Sequence, residues 1–125
     1  MALTIKTTVS DNLLLVAFEG DYSFPELVEQ IQEIRAAADS AGCEHALIDA
    51  TSVKGRMTES EKFFAGTKIA ELFGPKLKAA VVMPEGDVTK MGEMAAVNRG
   101  ARLLVTESTA EATAWLTGAQ LRTVV

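Results

Sequence analysis

The feature that most limits what this chain can become is its exchange of short apolar runs with helical stretches that open on a capping signal. Runs at 13–18, 46–48, 78–83 and 103–105 are too short for buried helices and read as strands inside a sheet. Between them, Ser23 with Glu26, Thr58 with Glu61, and Ser108 with Glu111 have the spacing at which a hydroxyl and a carboxylate satisfy the first amides of a helix. Pro25 stands where the first turn needs no amide hydrogen, Tyr22 is placed to staple onto Leu27, and Asp87 offers a cap for a further helix. Gly42, Gly74-Pro75, Gly100 and Gly118 mark the helix ends.

Ahead of the first buried run, Leu3, Ile5, Thr7 and Val9 alternate with polar neighbours, the period of a half-buried edge strand. Asp11-Asn12 then supplies a hairpin turn. The order is β-β-α-β-α-β-α-β-α, an α/β chain with a mixed five-stranded sheet, its first strand antiparallel, flanked by helices. Inward stripes are expected at Leu27, Ile31, Ile34 and Ala38; at Phe63, Phe64, Ala70, Leu72 and Phe73; at Val88, Met91, Met94 and Ala95; and at Ala112, Trp115 and Leu116. Methionine-rich and aromatic positions of this kind also adapt well to partners. Adjacent Phe63 and Phe64 cannot both point inward, so one of them is expected at the surface.

With 125 residues, 48% apolar and 23% charged, the chain suits one domain, 1–125, with a core over about 3–118 and a tail at 119–125. A net charge of -5 argues against a nucleic-acid partner. The single cysteine, Cys43, rules out an internal disulfide. No run approaches the roughly 20 apolar residues of a membrane span. Residues 1–6 lack the charged start and apolar core of a signal peptide, so a cytoplasmic location is expected.

Several segments occur in an order that resembles the SpoIIAA-like, or STAS-like, family of bacterial proteins. They are Leu15-Val16-Ala17-Phe18-Glu19-Gly20, Leu47-Ile48-Asp49-Ala50-Thr51, Lys78-Ala79-Ala80-Val81-Val82, Asn98-Arg99-Gly100-Ala101-Arg102 and Ala112-Thr113-Ala114-Trp115-Leu116. The resemblance implies a STAS-type sheet with flanking helices, in a family largely without assigned activity. Anti-sigma-factor antagonists of that fold carry an Asp-Ser-Ser-Gly-type motif whose serine is phosphorylated at the start of the second helix. The corresponding stretch here reads Gly55-Arg56-Met57-Thr58-Glu59-Ser60-Glu61, which supplies hydroxyls at Thr58 and Ser60 but lacks the motif. The phosphorylation switch is therefore not carried over.

The stretch 46–61 is the expected contact region, since loops after parallel strands usually carry the sites of α/β domains. Asp49 is expected to end its strand, with Thr51 and Ser52 in the loop beyond it. These three either bind a ligand or organise a turn. Lys54 and Arg56 precede a helix start and either attract an anion or remain solvated. Glycine-rich nucleotide fingerprints are missing, His45 lacks a catalytic partner, and Arg99 and Arg102 fit a helix C-terminus. The reading that follows is a non-enzymatic regulatory or protein-interaction module without a cofactor or metal. Its contact residues are Asp49, Thr51, Ser52, Lys54, Arg56, Thr58, Phe63 and Phe64, and its partner is another protein or a second copy. The alternative is a carrier of a small apolar or lipid-like ligand, held under the second and third helices with polar groups at Asp49 and Ser52.

Overall fold

In the computed structural model, which describes residues 1–118, neighbouring residues of four of the five strands enter different cores. Ala79 faces the larger core with Leu14, Val16, Ile48 and Leu103, whereas Ala80 and Val82 face a smaller one with Ala112 and Leu116. This period of two is what lets strands with no polar face be covered from both sides. The strands are β1 (Thr4–Ser10), β2 (Leu13–Asp21), β3 (His45–Lys54), β4 (Lys78–Val82) and β5 (Leu103–Thr106). They lie side by side in chain order, β1 antiparallel to β2 and the rest parallel. The expected mixed five-stranded sheet is therefore present.

Parallel neighbours in chain order require crossovers of one hand, which gather the connecting helices on one face. Helices α1 (Phe24–Ala41), α2 (Glu59–Phe73) and α3 (Met91–Val97) supply Ile34, Phe73 and Ala96 to the larger core. Helix α4 (Thr109–Thr117) covers β3, β4 and β5 from the other face. The tail at 119–125 lies outside the described residues.

Local signals succeed unevenly. Thr58 accepts from the Glu61 amide at 3.1 Å and Glu61 accepts from the Thr58 amide at 3.0 Å, a complete capping box. Ser108 accepts from the Glu111 amide at 3.1 Å. Ser23 caps α1 by position only, because its side chain makes no cap bond. Glu26 has turned away from it to accept the Leu3 amide at 2.8 Å, which fastens the N-terminal segment to α1.

Four expectations fail here. Strand β3 does not stop at Asp49 but runs to Lys54, since β2 also continues to Asp21 and the two stay paired beyond a bulge opposite Phe18. Helix α3 begins after Lys90 rather than at an Asp87 cap, and it buries Ala95 and Ala96 while Met91 and Met94 face outward. Only small residues fit where α3 meets α2: a methyl group on Gly66 would overlap the Gly92 carbonyl. Leu3, just before β1, and Ile5 on it are covered, where Glu26 and Gln30 of α1 bond to Leu3, but Thr7 and Val9 further along are exposed.

The two sheet edges differ. At β5 the Val105 amide donates to Glu93 Oε1 at 2.7 Å, and Lys90 Nζ donates to the Val105 carbonyl. Lys90 and Glu93 pair with each other at 3.1 Å, so two side chains stand where a sixth strand would pair. The outer edge of β1 carries no comparable clasp among the described residues.

Candidate functional site

Between the helix-bearing face of the sheet and its cover lies a cavity of about 340 Å³. Ile48 and Val81 form its floor, Ile31 and Ile34 of α1 one wall, and Ala65 and Ile69 of α2 its roof. It reaches the surface at the carboxyl ends of the strands, where the loops around Gly55 and Gly86 begin. Its volume is at the lower end of ordinary ligand pockets, which span about 300–1,000 Å³.

The rim is polar and internally paired. Arg56 Nε meets Asp87 Oδ1 at 3.2 Å, joining the loop before α2 to the loop before α3. Lys62 Nζ donates to the Asp87 carbonyl at 2.9 Å and to Thr89 Oγ1 at 3.1 Å, and it pairs with Glu59 at 3.3 Å. Thr89 in turn donates to Glu59 Oε1 at 2.9 Å. With Lys90 and Glu93, the rim holds three cations and three carboxylates, each within reach of an opposite charge.

Tyr22 also lines the cavity. Its hydroxyl is closed to solvent without a well-formed hydrogen bond. Burial pushes its ionisation upward, and the charge of Glu61 with a weak hydrogen bond to it pushes the same way. The Tyr22 amide donates to the Lys54 carbonyl at 2.7 Å, which fixes the backbone from which the ring extends.

Of the contact residues expected from the sequence, only Arg56 lines this cavity. Asp49, Thr51, Ser52 and Lys54 lie on β3 itself rather than in a loop. Asp49 alternates with the cavity residues Ile48 and Ala50, and Ser52 pairs with Glu19, so neither supplies the pocket's polar groups. Asp49 Oδ1 accepts from the Thr51 amide at 2.9 Å and from Thr51 Oγ1 at 2.6 Å, a closed local turn. Anion capture before α2 is disfavoured, as Glu59 and Glu61 already occupy its first turn. Thr58 is committed to its cap.

The remaining candidates take structural positions. Cys43 is buried, and His45 pairs in register with Lys78 at the other end of the sheet. Burial lowers the His45 pKa, as do Lys78 and Arg102, against a smaller opposing effect of Glu44. Arg99 donates to the Ala95 carbonyl at 3.0 Å and Arg102 to the Pro75 carbonyl at 2.8 Å. Among the described residues, no three of His, Cys, Asp and Glu stand together as a metal site. No described helix is long and apolar enough to cross a membrane.

A second feature lies on the outside of the same helices. Phe64 is 56% exposed while Phe63 is partly covered, with the rings edge to face at 5.7 Å, so one phenylalanine does remain outside. Phe63, Phe64 and Met91 border a shallow groove. Met91, Met94 and Val97 are all exposed on α3 at three-residue steps, which places them on one face. Among the described residues, most of the exposed large apolar side chains thus gather on α2 and α3. Sequence reasoning assigned Met91 and Met94 to the core and did not connect Tyr22, Asp87 or Thr89 with a site. The only signal for the last three was their position next to turns after strands.

The topology defines the chain as an α/β domain with a SpoIIAA-like, or STAS-like, fold. It is similar to the crystal structure of an anti-sigma factor antagonist from Mycobacterium paratuberculosis, with a TM-score of 0.61 and 16% identity over 93% of this chain and 95% of that one. It is also similar to an uncharacterised DUF3478-family protein with a SpoIIAA-like fold from Shewanella loihica, with a TM-score of 0.55 and 19% identity over 91% and 93% of the two chains. No protein-family model and no curated protein matches the sequence.

Proposed function

We propose that the chain is a non-enzymatic regulatory module that works by binding another protein through the outer face of α2 and α3. The observation that carries this reading is the gathering of Phe64, Met91, Met94 and Val97 on adjoining helices. An exposed aromatic with flexible methionines beside it suits a contact surface that adapts to its partner. The likeness to an anti-sigma factor antagonist supports a regulatory role. The partner is a different protein or a second copy of this chain.

A photo-crosslinking residue placed at Phe64 tests the reading, with the same residue at exposed Thr113 on α4 as reference. Discrete adducts are expected at position 64 alone, and they should disappear when Met94→Asp is added. Equal labelling at the two positions, or adducts that survive Met94→Asp, would sink it.

A second reading is favoured by the cavity, whose size and aliphatic walls suit a carrier of a small apolar ligand. Native mass spectrometry of freshly purified protein tests it. A carrier retains extra mass that organic solvent removes, and a module with no ligand has only the mass of its sequence.

A further inference from the structure

We propose that the cavity takes one uncharged, mainly apolar molecule bearing a single oxygen acceptor, and that the Tyr22 hydroxyl recognises this oxygen. The proposal deepens the carrier reading and rests on it. Three observations converge on this class of ligand.

The first is the lining. Ile31, Ile34, Ile48, Ile69 and Val81 present branched aliphatic surface from the sheet and two helices, with no polar side chain among them. A molecule placed there gains mainly from leaving water, and any strongly polar group carried inward would go unsatisfied.

The second is the balance of the rim. Arg56, Lys62 and Lys90 are paired with Asp87, Glu59 and Glu93. Lys62 is further held by Thr89 and the Asp87 carbonyl. A charged headgroup would compete with the carboxylate already beside each cation, whereas a neutral molecule leaves the pairs undisturbed. This favours the proposed ligand over fatty acids and other amphiphiles with an ionised end.

The third is the hydroxyl of Tyr22, a residue that lines the cavity, closed to solvent and lacking a well-formed partner. A buried donor left in this state is destabilising, and a ligand oxygen that accepts from it removes the penalty on binding. Glu61 lies near enough to push the Tyr22 ionisation upward but makes no well-formed bond to the hydroxyl. The tyrosine is also held in place beforehand. Its amide is bonded to Lys54, and a side-chain carbon at Gly55 would come within 3.3 Å of the Tyr22 Cβ, where glycine leaves room. A donor fixed in advance loses little freedom when the ligand arrives.

The test uses the full chain with the neutral fluorescent probe N-phenyl-1-naphthylamine. Its displacement is compared for 2-naphthol and 2-methylnaphthalene, which share a shape and differ in the oxygen. Saturable binding of one probe per chain is expected, with 2-naphthol displacing it about fivefold more effectively, the size of one ordinary hydrogen bond. Tyr22→Phe should bring that ratio to about one while probe affinity is retained. Ile69→Trp, which fills the roof, should abolish binding, and Phe64→Ser on the outer face should leave it unchanged. If Ile69→Trp does not fold, the ratio in Tyr22→Phe decides. No saturable binding would remove the carrier reading together with this proposal. Binding whose naphthol preference survives Tyr22→Phe, or is lost in Phe64→Ser, would overturn the proposal alone.

Discussion

Gly66 of α2 and Gly92 of α3 meet backbone to backbone, so closely that a methyl group on Gly66 would overlap the Gly92 carbonyl oxygen. This contact sets the distance between the two helices that carry the exposed apolar face and part of the cavity wall. In Gly66→Ala, overpacking should cost about 1–3 kcal/mol. The gain in helix propensity, up to about 1 kcal/mol, offsets only part of it. Urea unfolding should therefore show a lower midpoint, and an unchanged or higher one would mean that the helices separate freely.

The two capping-box sequences at α1 and α2 should respond differently to the same change. Thr58→Ala removes a bond that is present and should cost about 0.5–2 kcal/mol of unfolding free energy. Ser23→Ala removes none, since the Ser23 side chain makes no cap bond, and should lie within about 0.5 kcal/mol of wild type. Equal losses in the two variants would contradict the assigned geometry.

This contrast also marks how far the sequence was legible. Strand and helix order followed from the apolar runs and their stops, as Gly42 and Gly74 illustrate. Glu26 was misread because its real partner, the Leu3 amide, is 23 residues away and becomes available only when the chain folds back. The extent of β3 was misread for a similar reason. Ser52 and Lys54 look like loop residues, but β2 is long enough to keep them paired, with Thr51 in the bulge before them. Met91 and Met94 follow helical spacing without lying inside, as the Gly66–Gly92 contact brings small residues to the interface instead. The cavity was anticipated only as a region under two helices, and its polar groups come from segments that no local pattern links.

Glu93 should matter more than an exposed acid on a short helix ordinarily does. Glu93→Ala deprives the Val105 amide of its acceptor and Lys90 of its counterion, and should cost about 1–3 kcal/mol. The same variant should sediment as larger species at high protein concentration, because its β5 edge is uncovered. A monodisperse variant of wild-type stability would show that the clasp has no such role.

A pH effect follows from His45. Its folded pKa is lowered first by burial, then by Lys78 and Arg102, so the unfolded chain takes up a proton more readily at this position. The His45 contribution is complete above the unfolded value of about 6.5 and is lost as pH falls toward the lower folded value. Between about pH 7.5 and 5.5, wild type should lose more stability than His45→Gln, measured by thermal midpoints at fixed ionic strength. Parallel curves would assign the pH dependence to other groups.

The unequal sheet edges limit how copies of this chain are able to add to one another. With β5 occupied by Lys90 and Glu93, a strand-to-strand union of two copies leaves, among the described residues, only β1 for both. Each molecule then has a valence of one for such growth. Two joined edge to edge have used up the only place where a third would attach, so growth by this route closes at a pair instead of running on into a filament. Opening β5 raises the valence to two, and with it the prospect of an endless chain.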